Sequence, residues 1–418
     1  MPEAALQRAD SPQEVGLDGA RLAAFGELLR GDCARGVIPG AVVLVARHGR
    51  IAWHEAFGCE VPGDHGRPMR TDTLFRIAAM TRPLVAVLTL AMVERGQLAL
   101  TDPVHHHLPA FASLQVGVEQ TGADGVRQLA RVPPARPMNV LDLLRHTSGL
   151  TYGMFGDSLV QRLYREAGVM DPAQTNSELV NKLAALPLQC HPGSCFEYGM
   201  STDVLGCVIE AATGRDLASC LSEFVTQPLT LHNTGFRVVP RAGAGLAKAR
   251  SGPGAPPPVL FDYDMAMPPT WCSAGAGLLS TAEDYARFCQ MLLDGGALAG
   301  TRILSTASVR WMLANHLPQG IAFGTSTAAL GINAPIPEFG QGHGLGVGVR
   351  LHDGLCPVPG SIGDFFWGGA LGPYFCADPR ERLVAVLMMQ ESDNALRARY
   401  RGLLRNTVYG ALQDSAHD

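Results

Sequence analysis

The chain lacks the features that mark several large classes of protein. None of its 418 residues belong to a run of about 18 uninterrupted apolar residues, the length that a membrane-spanning helix needs. Charged residues make up only 17%, and the net charge of −5 offers no basic surface to nucleic acid or to an anionic membrane. We therefore expect a globular chain without a nucleic-acid partner and without a membrane partner, and a homo-oligomer stays open.

The cysteines lack the spacing of metal-binding or redox motifs. Ten cysteines are scattered along the chain, and no C-x-x-C pair occurs. The N-terminal stretch MPEAALQRADSPQEVG has neither the basic start nor the apolar core of a signal peptide. These observations predict a cytoplasmic protein with reduced, mostly buried thiols and with no metal or other cofactor.

Helix and strand patterns are present in an order that predicts two lobes. Apolar spacing predicts a helix over 17–30, and two strand patterns meet at a tight turn at His48-Gly49. Strand patterns return near the C-terminus, and a final helix is predicted from about 394 to 412. We predict an α/β (α+β) fold in which residues 1–77 and 340–418 form an antiparallel-sheet lobe and residues 78–339 form a mostly helical lobe. Further helices are predicted over 140–146, 176–185, 203–213 and 281–293, and a loop over 241–260.

A helix that is apolar on nearly every side begins within the stretch FRIAAMTRPLVAV (75–87). Such a helix is typical of a protein interior. Pro83 fits only its first turn, and Gly96 is expected to end it. The helix therefore begins near Ala79, and Ala79 to Arg82 form its first turn.

Four segments resemble the serine β-lactamase and penicillin-binding-protein superfamily, above all its class C-like branch, which includes the family VIII carboxylesterases. They are LLRHTSGLTYG (143–153), FEYGMSTDVLGCVIEAATGR (196–215), GAGLLSTAEDYARFCQMLLDGG (275–296) and WGGALGPYFCADPRERLVAVLMMQ (367–390). The resemblance covers nearly the whole chain and implies a β-lactamase-like fold. Fold alone does not determine function.

The resemblance also implies an active site built from three motifs. The first, S-x-x-K, begins the buried helix, and its positions fall here on Ala79 and Arg82. The second, Y-x-N, becomes Tyr198-Gly199-Met200, so the tyrosine remains and the asparagine is replaced. The third resembles the W-G-G of the esterase branch and is Trp367-Gly368-Gly369.

The two substitutions in the first motif remove the familiar chemistry. Alanine has no oxygen to attack an acyl carbon, and arginine stays protonated, so it cannot act as a general base. We therefore predict no ordinary serine hydrolysis through position 79. The family's oxyanion hole, which would use the backbone N–H groups of Ala79 and Ala370, does not depend on the lost side chains.

Arg82 at the helix N-terminus has two interpretations. It could complete an anion-binding pocket with the backbone amides, or it could pair with a nearby carboxylate such as Asp203 or Glu197. Motif context places Tyr198, as proton donor or acceptor, in the same pocket, although it could instead be a half-buried structural aromatic. Further predicted contacts to the ligand are Trp367, Gly368, Gly369, Ala370, Tyr152, Phe155 and Met200.

Other residues could in principle replace the missing nucleophile. Thr81 is expected to point away from the helix face that carries Ala79 and Arg82. Ser201 is expected to be a hydroxyl in the core or at the start of a helix. The run His105-His106-His107 is expected in a solvent-facing loop, because adjacent side chains seldom bind one ion together. The cysteines that could approach the cleft are Cys195, Cys272 and Cys376.

The sequence thus predicts a β-lactamase-like protein with a degenerate catalytic centre. It would retain a cleft for a small ligand, anionic or acyl in character. It would either bind that ligand or catalyse a step that needs no serine, with Tyr198, Arg82 and the oxyanion amides. Two alternatives stay open: a non-catalytic scaffold, and an esterase or amidase with a displaced nucleophile.

Overall fold

The computed structural model describes residues 6–238, 243–250, 269–330 and 334–413. Its helices are α1 (Gly19–Ala34), α2 (Thr81–Glu94), α3 (Val104–His107), α4 (Val140–Leu144), α5 (Leu159–Glu166), α6 (Asn176–Ala184), α7 (Ser201–Thr213), α8 (Leu217–Leu221), α9 (Ala282–Leu293), α10 (Thr306–Met312), α11 (Thr325–Ala329) and α12 (Asn394–Gly410).

The strands are mostly short, and the longest belong to one sheet. They are β1 (Gln7–Arg8), β2 (Gly40–Arg47), β3 (Arg50–Gly58), β4 (Phe75–Arg76), β5 (Val116–Thr121), β6 (Arg127–Val132), β7 (Cys195–Phe196), β8 (Leu279–Ser280), β9 (Ala297–Leu298), β10 (Thr301–Arg302), β11 (Ala322–Phe323), β12 (Gln341–His343), β13 (Gly348–Arg350), β14 (Phe365–Gly368), β15 (Tyr374–Asp378) and β16 (Leu383–Met389).

The central sheet has the strand order β1-β3-β2-β16-β15-β14-β13-β12. Neighbouring strands are antiparallel except for β1 and β3, which are parallel. The N-terminal hairpin therefore pairs directly with β16, the last strand in the described residues. The sequence predicts that the first and last strands share one sheet, which this pairing confirms. This arrangement confirms the predicted fold class, a mixed α/β fold with a mostly antiparallel sheet. The division into two lobes at the stated boundaries stays a prediction.

Both faces of the sheet are buried, and alternate residues of β2 face different cores. Val43 and Val45 pack with α1 and the final helix, whereas Val42 and Leu44 face the larger core that contains α2 and α9. Side chains in a strand alternate between faces, so a strand covered on both sides appears as a continuous apolar run. This burial explains why GAVVLVA contains no polar residue.

Most sequence-predicted elements agree with the structure to within a few residues. The turn between β2 and β3 has positive φ angles at His48 (54°) and Gly49 (75°), as a tight two-residue hairpin requires. One prediction is wrong: His105–His107 belong to the helical turn α3 rather than to a loop. Of the predicted loop 241–260, the structure describes residues 243–250, which contain no helix or strand, and the remainder lies outside the described residues.

In the described ranges, no helix is both long enough and apolar enough to cross a membrane. The most apolar long helix, α2, has 14 residues and is buried along most of its length. Its apolar surface is covered by the rest of the fold, which confirms the prediction of an interior helix.

Candidate functional site

A short 3₁₀ turn positions the first motif. Ala78–Met80 form this turn, and α2 begins directly after it at Thr81. Ala78 has a φ of 45°, in the left-handed region that non-glycine residues rarely adopt. Such backbone strain is often found where a fold holds a functional residue in place. Ala79 follows this strained residue at the N-terminal entry to α2, as predicted, and lines a cleft.

The third motif lies directly against the first. A Cβ atom on Gly369 would be only 2.5 Å from the carbonyl oxygen of Ile77 and 3.3 Å from the Cβ of Ala78, so only glycine permits this approach. On Gly368, a Cβ would lie 2.5 Å from the guanidinium of Arg401. Backbone contact with the first motif thus explains Gly369, whereas Gly368 is close only to the end of a long side chain.

Two arginines of α12 hold the peptide that follows Gly369. Arg401 donates to the Gly369 carbonyl oxygen at 3.0 Å, and Arg397 donates to the same oxygen at 3.4 Å and to the Ala370 carbonyl oxygen. The N–H of the peptide between Gly369 and Ala370 is the second predicted oxyanion donor. Hydrogen bonds to the carbonyl of a peptide polarise it and strengthen its N–H as a donor.

Arg82 is buried and bonded to the protein. Its Nη1 atom donates to Thr202 Oγ1 at 2.7 Å and lies 3.2 Å from His146 Nε2, while Nη2 donates to the Tyr152 hydroxyl at 2.5 Å. The guanidinium carbon lies 4.5 Å from the ring centroid of Tyr198. Burial alone would lower the pKa of Arg82, but the surrounding tyrosines and Asp203 keep that pKa above its ordinary value. The group is therefore a permanent cation.

Asp203 is the carboxylate whose negative charge raises the pKa of Arg82. Its Oδ1 atom accepts from the Ser273 hydroxyl at 2.5 Å and from the Gly275 N–H at 3.1 Å, while Oδ2 is buried without a hydrogen bond in the described residues. Burial raises the pKa of Asp203, and Arg82 opposes that rise. Among the described residues, Arg82 forms no direct ion pair with Asp203, so the charges interact through space.

Glu197 is bonded to Thr151 and Ser326, and no ion pair joins it to Arg82 among the described residues. Its carboxylate accepts from the Thr151 hydroxyl at 2.5 Å and from the Ser326 N–H at 3.3 Å. Burial is the main reason that the pKa of this carboxyl rises to about 7. Glu197 does not line the cleft, so it is not a partner for a ligand there.

The cleft has a volume of about 230 Å³. The charged residues among its described lining are all arginines: Arg82, Arg397 and Arg401. The rest of the wall is largely aromatic and aliphatic. Nine of the residues that the sequence predicts at the site line this cleft: Ala79, Arg82, Tyr152, Phe155, Tyr198, Trp367, Gly368, Gly369 and Ala370.

The aromatic side chains of the wall contact one another around Tyr198. Its ring centroid lies 5.8 Å from that of Tyr152 and 5.9 Å from that of Trp367, and Phe155 lies 5.8 Å from Tyr152. Such separations are typical of favourable aromatic pairs. Met200 is placed differently: it is fully buried in the core at the start of α7 and does not line the cleft.

The side chains considered as displaced nucleophiles lie elsewhere. Thr81 accepts a hydrogen bond from the Leu278 N–H inside the core, and Ser201 is fully buried, with its hydroxyl 2.9 Å from that of Ser148. Cys376 is buried in β15. Neither these three residues nor Cys195 and Cys272 line the cleft. Within the described ranges, no cluster of side chains has the composition of a metal site.

Sequence reasoning did not identify the contribution of the final helix. Arg397, Arg401, Asn394 and the preceding Ser392 all line the cleft, but none belongs to one of the three motifs. The available signal was spacing: arginines at 397, 401 and 405 recur every four residues and so share one face of α12. That face packs against the sheet beside β14.

Comparison with known proteins agrees with the fold. The family model named Beta-lactamase matches residues 24–408. Protein Rv1367c of Mycobacterium tuberculosis is 33% identical over 375 residues, which cover 87% of this chain and 88% of that protein. Esterase EstB of Burkholderia gladioli is 30% identical over 423 residues, covering 95% and 98% of the two chains.

A solved structure shows the same architecture. EstCE1, described as a hydrolase with promiscuous acyltransferase activity, superimposes with a TM-score of 0.73 at 27% identity. The match covers 94% of this chain and 99% of EstCE1. Together with the family model and the two relatives, this match shows that the chain belongs to the β-lactamase family.

Proposed function

We propose that the cleft binds a small carboxylate-bearing or acyl compound and that no acyl-enzyme forms at position 79. The observation that carries this proposal is the charge of the cleft wall, which holds three guanidinium groups and no carboxylate among its described lining residues. Guanidinium groups bind carboxylates through charge-assisted hydrogen bonds. A ligand with an anionic end and an apolar body suits this wall.

The relatives favour the same class of ligand. EstB is named as an esterase and EstCE1 as a hydrolase with acyltransferase activity, and both kinds of enzyme act on acyl compounds. Their relationship supports an acyl or carboxylate ligand here. Because Ala79 has no side-chain oxygen, the relationship to these enzymes does not imply that an acyl-enzyme forms here.

The positions of two of these arginines suggest separate tasks. Three side-chain hydrogen-bond contacts already occupy Arg82, which is only 2% exposed. We therefore propose that Arg82 holds Tyr152 and Tyr198 in place and supplies a positive potential behind the ligand. Arg397, at the Ala370 side of the cleft, is likewise held by three acceptors of the chain, but it is more exposed than Arg82, at 8%, so we assign the direct contact with a carboxylate to Arg397.

The same groups could also promote a reaction without a covalent intermediate. The positive potential of Arg82 and the backbone amides at Ala79 and Ala370 would stabilise developing negative charge, and Tyr198 would move a proton. A cyclisation, isomerisation, elimination or retro-aldol step fits these roles. A non-catalytic scaffold would use the cleft for binding alone, and turnover of the bound compound separates the two.

A displaced-nucleophile esterase is the other candidate. The cysteine, serine and threonine side chains first considered for this role do not line the cleft. Ser392 carries the only aliphatic hydroxyl among the described lining residues, so it is the position where a displaced acyl adduct would be expected. Labelling with a serine-reactive probe therefore tests this candidate directly.

Calorimetric titration with 3-phenylpropanoate and 3-phenylpropanamide tests the proposed ligand class. These probes share a body that suits an aromatic wall and differ in the anionic group. We expect the acid to bind more tightly than the amide. Arg397→Met should weaken acid binding by about 1.5–3 kcal/mol, or one to two powers of ten.

Arg399→Met provides the matched control for that titration. Arg399 lies on the same helix but is exposed and does not line the cleft. Its replacement removes the same charge from α12 and should leave affinity nearly unchanged. Equal binding of acid and amide, or equal effects of the two substitutions, would contradict a carboxylate site.

A further inference from the structure

Two cysteines are adjacent in space just before Tyr198. The Sγ atoms of Cys190 and Cys195 are 3.0 Å apart, and both thiols are free. No other thiol pair in the described parts of the chain is within hydrogen-bonding distance. The intervening residues, His191 to Ser194, form a turn in which Gly193 has a φ of 86°. This turn returns the chain on itself and brings the two sulfurs together.

The two thiols differ in environment. Cys190 is partly exposed and lines a surface groove with His191 and Ser194, so a small oxidant can reach it. Cys195 is only 7% exposed and belongs to β7, which pairs with β11. The hydrogen bond with Cys190 and burial both raise the pKa of the Cys195 thiol. Cys190 is therefore the sulfur that reacts first, and Cys195 lies behind it.

We propose that Cys190 and Cys195 form a site of reversible oxidation, at which a small peroxide converts the dithiol into an intramolecular disulfide. The proposal is independent of the ligand assigned to the cleft. It rests on the sulfur–sulfur distance, on the access to Cys190 and on the absence of a competing thiol pair among the described residues.

The reaction balances with hydrogen peroxide as the oxidant. The Cys190 thiol loses its proton and its sulfur attacks one peroxide oxygen, the O–O bond breaks, and the departing hydroxide takes up that proton, so that a sulfenic acid and one water are formed. The Cys195 sulfur then attacks the Cys190 sulfur, the S–O bond breaks, and a second water leaves. Overall, the two thiols lose two electrons and two protons, and one peroxide is reduced to two waters. A reducing dithiol reverses the modification.

The test is peroxide titration of the full chain, followed by alkylation of the remaining thiols and tandem mass spectrometry. The expected product at low peroxide has lost two hydrogen atoms, and fragmentation places the link between Cys190 and Cys195. Dithiothreitol should restore both thiols to alkylation. Unlinked, alkylated Cys190 after such treatment, or a different pair as the first product, would overturn the proposal.

Three variants complete the design. Cys190→Ser and Cys195→Ser should each abolish the loss of two hydrogens. Cys356→Ser, which removes another partly exposed thiol, should leave it intact. Loss of the product in Cys356→Ser, or its persistence in Cys190→Ser, would contradict the assignment. If a serine variant fails to fold, mapping of the unaltered chain still decides the question.

Discussion

The guanidinium of Arg82 lies over the ring of Tyr198, with its central carbon 4.5 Å from the ring centroid. A cation at this distance from an aromatic face is attracted to it, more strongly when both groups are buried. The contact joins the first and second motifs across the cleft. It gives the arginine a defined structural partner at the position where the resemblance to the S-x-x-K motif implies a lysine.

Replacing Arg82 should therefore destabilise the fold. Arg82→Met removes the contacts to Tyr152, Thr202 and His146 and leaves Asp203 without its neighbouring cation. We expect a lower Tm and a loss of about 1–3 kcal/mol in the free energy of unfolding, the usual cost of leaving buried polar groups unsatisfied. Chemical denaturation measures the loss.

Arg82→Lys is the matched control for that substitution. It keeps the positive charge near Asp203 but cannot span the same three hydrogen-bond partners, so its stability should be intermediate. Ligand affinity measured on the same proteins separates the two interpretations of Arg82. A large loss of stability with unchanged affinity would show that Arg82 is structural and takes no part in anion binding.

The titration of Glu197 should make stability depend on pH. Its folded pKa of about 7 lies above the ordinary value of 4.5, so the folded state binds the proton more tightly than the unfolded state does. This contribution is fully present below about pH 4.5 and is lost as the pH rises through 7, by an amount on the order of 3 kcal/mol.

Glu197→Gln removes the titration and provides the reference. The stability of the unaltered chain, measured relative to this variant, should fall between pH 4.5 and 7 and stay level at higher pH. Because other groups titrate in both proteins, their contributions cancel in the difference. A difference that is flat over this range, or that rises with pH, would contradict the protonated, buried carboxyl.

The packing of Gly369 can be tested with a single methyl group. Gly369→Ala places a Cβ 2.5 Å from the Ile77 carbonyl oxygen, so strand β14 or the turn before α2 must move. We expect a loss of about 1–3 kcal/mol in stability, as for other overpacked sites, and weaker binding in the cleft. Denaturant unfolding and ligand titration measure the two effects.

Gly402→Ala is the matched control, since its Cβ would meet only Val358, at an ordinary 3.8 Å. Gly402 lies in α12, where alanine is favoured over glycine by up to about 1 kcal/mol. This variant should be as stable as the unaltered chain or more so. Equal losses in both glycine variants would show that the close approach of the two motifs is not what Gly369 provides.

The sequence predicted the positions of strongly periodic helices and strands better than it predicted which distant residues contact one another. The buried helix, the hairpin at His48-Gly49 and the final helix follow from local patterns, so their positions agree with the structure. The helical turn at His105–His107 has no such pattern, and the prediction of a loop was wrong there. The φ of 45° at Ala78 depends on tertiary packing, so it could not be predicted from the sequence around it.

The candidate site shows the same limit. Family motifs placed Ala79, Tyr198 and Trp367 at one cleft, because each motif occupies a known part of the fold. Arg397 escaped notice because only the packing of α12 against β14 brings it near the first motif. Met200 was expected at the ligand because it fills a motif position, but the turn into α7 directs it into the core.

The central claim is that this cleft retains its architecture although position 79 has lost its nucleophile and no other side chain replaces it. Fluorophosphonate labelling, read by intact mass and peptide mapping, tests it most directly on the unaltered chain and on the double variant Ala79→Ser/Arg82→Lys. We predict no adduct on the unaltered chain and one adduct at position 79 of the double variant. A stoichiometric adduct on the unaltered chain, at Ser392 or elsewhere, would contradict the claim, as would a folded double variant that remains unlabelled.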